Sequence, residues 1–185
     1  METLINLIDA CKKGKPEAQR LLFKQYSPLL LNVCLHYSDS PQEAEEALIK
    51  GFYNIFSRIN TYRSDGPFEA WMRRIVVNTS IDMIRKKQKN FNILKIDDLH
   101  EGILPSVMPA EKLEQQDIMN LVQHLPKGYR IVLILYAIEG YSHSEIAKML
   151  DITESTSKTQ LLKARKYLQK LLSETEPVIT HTPHE

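Results

Sequence analysis

Apolar residues recur at steps of three and four along most of this chain, the spacing that gathers them on one face of an α-helix. Leu4, Leu7, Ile8 and Cys11 open a first helix, which Gly14 stops. A second begins at Pro16, a residue suited to a first helical turn. Ser27-Pro28 restarts or kinks it, and apolar positions continue to Tyr37. Pro41 starts a third, with Glu43, Glu45 and Glu46 in opening turns where the helix dipole favours anions. It ends near Asn60. Residues 61–67 read as loop, broken by Asp65-Gly66 and Gly66-Pro67. A fourth helix is expected over 68–89, and others over 110–125, 126–139, 142–150 and 154–172. No run of alternating β-branched residues is long enough for a sheet, so the expected fold class is all-α.

Between residues 90 and 108 the periodicity fails, and Asp97-Asp98, Gly102, Pro105 and Pro109 mark a linker. The expected organisation is two small domains: a helical bundle over 1–90, a flexible linker over 91–109, a helix-turn-helix domain over 110–173 and a frayed tail over 174–185. About 20 extended linker residues reach roughly 65 Å. That is nearly two turns of duplex DNA at roughly 34–36 Å per turn.

The last two helices carry the clearest local signals. Gly140 closes the preceding helix, and Ser142 with Glu145 forms a capping box. Asp151 falls where the short turn requires a left-handed residue, and Thr153 is placed to cap the final helix. On that helix Ser157, Leu161, Ala164, Leu168 and Leu171 share one face. Ser155, Thr159, Leu162, Lys163, Lys166 and Lys170 lie opposite, with Lys158 at the flank. A short helix, a tight turn and a longer basic helix suit entry into a major groove. There the lysines would meet phosphate, while Thr159, Gln160 and Lys163 would read base edges.

Helix 68–89 is apolar on two sides: Phe68, Met72, Ile75, Thr79 and Met83 form one stripe, and Val77, Ile81 and Ile84 another. Such a helix belongs inside a bundle. Its remaining polar strip holds Arg74, Asn78, Arg85 and Lys89, followed by Lys86 and Lys87, with Asp82 able to pair with Arg85 or Lys86. Trp71 borders the strip and is expected in the core.

Charge sharpens this picture. The net charge of +1 conceals 14 Lys+Arg against 10 Asp+Glu in residues 1–90, 2 against 6 in 91–118, and 8 against 4 in 126–172. Two basic blocks flank an acidic one, as expected of two modules that touch a polyanion. Hydrophobic residues at 43% and charged residues at 25% match a globular chain and argue against disorder. No apolar run nears the roughly 18 residues of a membrane span, and the N-terminus lacks the pattern of a signal peptide. Stable membrane insertion is therefore not expected. Cys11 and Cys34 make no metal or redox spacing and read as buried thiols of a reducing, cytoplasmic setting. His143 reads as exposed and without a role, and His181 with His184 as filler in the tail. No phosphate-cradling loop, metal-ligand spacing or nucleophile motif is present, so neither an enzyme nor a cofactor is expected.

Three motifs in order then meet a known family. Ala44-Glu45-Glu46-Ala47-Leu48 with Phe52 comes first, the run from Phe68 through Trp71, Asn78 and Asp82 to Lys86 second. Leu125-Pro126, Arg130, Glu139-Gly140-Tyr141-Ser142, Glu145-Ile146-Ala147 and Lys163-Ala164-Arg165 come third. Together they resemble the extracytoplasmic-function (ECF) sigma factors of bacterial RNA polymerase, a group within the sigma-70 family, over about residues 5–172. The family's acidic helix usually reads Asp, then Gln three residues later, then Glu; here those places hold Glu46, Ile49 and Lys50.

The resemblance implies a factor that binds core RNA polymerase through the β′ clamp and the β flap. It implies recognition of promoter DNA both as duplex and as single strand, and often an anti-sigma partner. Glu45, Glu46, Ile49 and Lys50 would face the clamp. Tyr62, Arg63, Arg74, Asn78, Arg85, Lys86 and Lys87 would meet the minus-ten element, with Asn78 beside a flipped base and Tyr62 or Arg63 stacked on it. Ser155, Lys158, Thr159, Gln160, Leu162, Lys163 and Lys166 would meet the minus-thirty-five element. Two rival readings stand beside this one. A sigma-like decoy for an anti-sigma factor need not keep both basic faces. A plain helix-turn-helix regulator would not need the acidic helix or the Asn78 strip.

Overall fold

The computed structural model describes residues 3–91 and 115–173. The chain divides into two compact units, one on each side of residue 93. The expected linker over 91–109 and tail over 174–185 lie almost wholly outside the described residues, as do His181 and His184 and the start of the helix expected from 110. All regular structure among the described residues is helical.

The first unit holds α1 (Leu4–Lys12), α2 (Pro16–Tyr37), α3 (Pro41–Arg58) and α4 (Phe68–Phe91), with a 3-10 turn at Ile59–Thr61. Of the restart or kink expected at Ser27-Pro28, the restart is absent, because α2 runs through Pro28 as one element. Proline leaves one helical carbonyl without its amide donor. Leu22 before it and Leu30 after it are both fully buried, so tertiary packing holds both halves of the helix against the core. Ser40 caps α3 by accepting the Glu43 amide, and Pro41 stands in the first turn.

α4 packs against both α2 and α3. Phe68, Met72, Ile75, Val77, Ile81 and Ile84 of the two expected stripes are buried and Met83 is half-buried; Val76, in neither stripe, is buried as well. Thr79 completes its stripe by donating to the Ile75 carbonyl (2.8 Å) and accepting from Asn54 Nδ2 of α3 (2.9 Å). α3 comes close to α4 at Gly51, where an added Cβ would stand 2.9 Å from Val76 Cγ2. Cys11 and Cys34 are buried and unpaired with one another, and burial pushes the Cys34 thiol up to about 11.

The second unit holds α5 (Gln115–Gln123), α6 (Lys127–Ala137), α7 (His143–Leu150) and α8 (Glu154–Ser173). α8 rests on α6 and α7. The run Ile131–Leu135 of α6 is buried throughout and forms the centre of this core. The Ser142–Glu145 capping box is complete, and Asp151 takes the left-handed conformation at φ 58° and ψ 47°. Thr153 Oγ1 accepts the Thr156 amide at 3.0 Å and caps α8.

Gly51→Ala is expected to destabilise the first unit by about 1 kcal/mol. The overpacking penalty of roughly 1–3 kcal/mol outweighs the gain of up to about 1 kcal/mol from alanine's helix propensity. Gly51→Leu should cost more. Urea unfolding followed by circular dichroism measures both, and equal stability of all three proteins would remove the close approach as a constraint.

Candidate nucleic-acid interface

On α8 the expected division into two faces holds at most positions. Ser157, Leu161, Ala164 and Leu171 are buried, while Ser155, Lys158, Thr159, Leu162, Lys163 and Lys166 are exposed. Leu162 is 55% exposed, an apolar tip in the middle of a basic surface. Lys158 pairs with Glu154 at 2.8 Å, and Lys163 Nζ stands 5.9 Å from the centroid of the Tyr129 ring. Gln160 departs from expectation. It is only 4% exposed, so it faces the core and not the side offered to a base. It lies three residues after buried Ser157 and four before buried Ala164, which places it on the inner face.

His143 also departs from expectation. It is half-buried, its ring stacks on Tyr136 with centroids 4.6 Å apart, and Nδ1 lies 2.9 Å from the Ser157 hydroxyl. This one side chain joins α6, α7 and α8 at the root of the final helix. Ser157 is fully buried, so His143 supplies the partner that its hydroxyl needs.

In the first unit, Arg74 is exposed and Asn78 half-buried on α4. Arg85 is half-buried and pairs with Asp82 at 3.6 Å; Lys86 is exposed. Lys87 reaches across to Glu43 of α3 and forms an ion pair. The loop before α4 is fixed by side-chain bonds. Thr61 Oγ1 donates to the Arg58 carbonyl (2.7 Å), the Tyr62 hydroxyl to the Gly66 carbonyl (2.6 Å), and Lys12 Nζ to the Tyr62 carbonyl (3.4 Å). The Tyr62 ring stands 4.9 Å from Phe68 and 5.5 Å from Trp71. Trp71, expected in the core, is half-buried at the rim, stacked on buried Phe68 at 5.4 Å. Arg63 is exposed, and Ser64 holds a left-handed backbone at φ 62°.

The outer face of α3 carries Glu45, Glu46, Ile49 and Lys50, all exposed, with Glu46 bonded to Lys50. Ile49 is 64% exposed. Tyr53, 72% exposed one turn further on, belongs to the same stripe but was not among the expected residues. Its spacing of four from Ile49 and seven from Glu46 was the available signal.

The hydrogen bond from Lys87 holds the Glu43 carboxyl below its ordinary value of 4.5, and the same bond raises Lys87 above 10.5. The pair therefore contributes fully between those two ordinary values. Its contribution fades as pH falls through the lowered Glu43 value, or rises through the raised Lys87 value.

Comparison with known proteins follows the same division. Residues 22–90 match the family described as Sigma-70 region 2, and residues 115–168 match Sigma-70, region 4. Over 93% of its length the chain is 28% identical to the ECF RNA polymerase sigma factor SigW of Bacillus subtilis, covering 98% of that protein. It is 24% identical to the ECF RNA polymerase sigma-E factor of Escherichia coli K12, with 86% of this chain and 88% of the relative covered. Among solved structures, RpoE of Bartonella quintana, in complex with the anti-sigma factor NepR, aligns with a TM-score of 0.48 and 20% identity. That alignment covers 83% of this chain and 96% of the other.

His143→Ala strands the Ser157 hydroxyl in the core and should destabilise the second unit by about 1–3 kcal/mol. His143→Ala with Ser157→Ala should recover part of that loss. Thermal unfolding checks both, and full additivity of the two substitutions would show that the pair is not coupled.

Proposed function

Because the chain belongs to the sigma-70 family of RNA polymerase factors, we propose that it acts as an ECF-type sigma factor, binding core polymerase and delivering it to promoters. In this reading residues 1–90 form the region 2 domain, 91–109 the tether, 110–173 the region 4 domain and 174–185 a tail. The observation that carries it is the pairing of two basic helical faces, on α4 and α8, with two family regions in the same chain order.

Each face has its own chemistry. On α8, Lys158, Lys163 and Lys166 neutralise phosphates of a duplex minus-thirty-five element, while Ser155, Thr159 and Leu162 meet base edges. Lys158 gives up its exposed bond to Glu154 to do so, a small loss for a surface pair. On α4, Arg74, Arg85 and Lys86 line the path of the minus-ten strand. Asn78 offers both a donor and an acceptor to an unpaired base. The ordered loop with Tyr62 and Arg63 forms the wall against which that base rests. Binding to the open form alone shifts the melting equilibrium toward it, so no covalent step is needed and the factor is not itself an enzyme. On α3, Ile49 and Tyr53 add apolar area beside Glu45, Glu46 and Lys50 for the polymerase clamp. Burying such a side chain fully is worth about 1.5–3 kcal/mol. The site of action is the cytoplasm, with the transcribing enzyme, and an anti-sigma partner fits the same reading. Among the described residues, no helix is long and apolar enough to cross a membrane.

Run-off transcription with core polymerase on mapped promoters tests the whole reading. Arg74→Ala with Asn78→Ala should impair promoter opening and leave association with core polymerase intact; equal loss of both would point to misfolding. Lys158→Ala with Lys163→Ala should weaken promoter binding and flatten its salt dependence by about 0.9 for each phosphate no longer neutralised. An unchanged slope would remove those lysines from the interface.

A further inference from the structure

α3 and α4 are joined at one end by the short connection through residues 59–67. At the other end an ion pair joins them, Glu43–Lys87, between residues 44 apart in sequence. Both carboxylate oxygens of Glu43 are engaged: Oε1 accepts from Lys87 Nζ, and Oε2 accepts from the Asp39 amide at 3.3 Å. The Glu43 amide in turn donates to the Ser40 cap. The carboxylate is thus anchored to the backbone just before its own helix, independently of the lysine. Its side chain is 28% exposed and that of Lys87 45% exposed, so the pair is neither deeply buried nor freely solvated.

Along α4, Lys87 follows directly after the basic residues proposed to face DNA. Along α3, Glu43 precedes Glu46 and Ile49 by one to two turns, on the helix proposed to face the polymerase. We propose that the Glu43–Lys87 pair latches the polymerase-facing helix to the DNA-facing helix, and that Lys87 is a positioning residue and not a phosphate contact. The inference rests on the sigma-factor reading above. A cation already held by a carboxylate whose other oxygen is anchored to the backbone has little to gain from exchanging it for a mobile phosphate. What the pair supplies is a fixed distance between the start of α3 and the end of α4, where no covalent connection constrains them.

The test uses the full chain with core polymerase on a promoter that the unaltered protein opens. Glu43→Gln keeps an acceptor for the Asp39 amide but removes the charge. Lys87→Gln removes the other partner, Lys86→Gln serves as a comparator, and the Glu43→Gln/Lys87→Gln double variant completes a cycle. Urea midpoints of each variant establish that it folds. Each single substitution at the latch should slow opening about two- to fivefold, the range of an exposed or partly exposed ion pair. The double variant should be no slower than either. The salt slope of promoter binding should stay unchanged for Lys87→Gln and fall by roughly 0.7–0.9 for Lys86→Gln. A lowered slope for Lys87→Gln, or tighter promoter binding by Glu43→Gln, would overturn the inference and make Lys87 a phosphate contact that Glu43 restrains. Additive slowing in the double variant would overturn it as well. Failure of the unaltered chain to direct any transcription is a separate result, which removes the sigma-factor reading and the latch with it.

Discussion

The first unit depends on how closely α3 can lie against α4. Gly51 sits in the interior of a helix, where glycine ordinarily costs about 1 kcal/mol relative to alanine. Here it lets Val76 press against the backbone, and a Cβ would intrude to 2.9 Å from that side chain. The approach seals α4 between α2 and α3, and only a narrow polar strip of α4 is left at the surface. The same approach turns the opposite side of α3 outward, with Glu46, Ile49, Lys50 and Tyr53 on it. The two faces assigned to different partners are thus two consequences of one helix packing.

The second unit solves a related problem with polar groups. A recognition helix is useful only if its angle is fixed, and α8 is fixed at its start by three devices. Asp151 accepts the left-handed conformation that makes the turn short. Thr153 satisfies an amide of the first turn. His143 fills the remaining gap by bonding Ser157 and stacking on Tyr136. Of these, the His143–Ser157 contact lies on the inner side of α8, while the lysines and Leu162 remain outside.

Sigma-type function asks for binding energy that is spent on the open form of DNA and on the enzyme that carries it. The residues here fit that division by chemistry. The loop proposed to receive the strand is already ordered by its own hydrogen bonds, so in that reading little entropy remains to be lost on binding. On α3, Ile49 and Lys50 stand where the family pattern described above usually has glutamine and glutamate. Lys50 also neutralises Glu46 within the same helix. The surface proposed to face the polymerase is therefore less acidic and more apolar than the family pattern.

Much of this was legible before any coordinates. Period-three and period-four spacing determined the helices and their buried faces. Ser142 with Glu145, Asp151 and Thr153 marked the turn, because capping depends on residues only a few positions apart. The motif order determined the family. What the tertiary structure alone decided were the fates of single side chains at the borders of those faces. Gln160 turned inward, Trp71 stopped at the rim, Pro28 was carried inside a continuous helix, His143 became a structural tie, and Lys87 found Glu43. The physical reason is shared. Helical spacing assigns each residue an angle about its own axis, but whether that angle is covered, and by which charge, depends on a neighbouring helix distant in sequence.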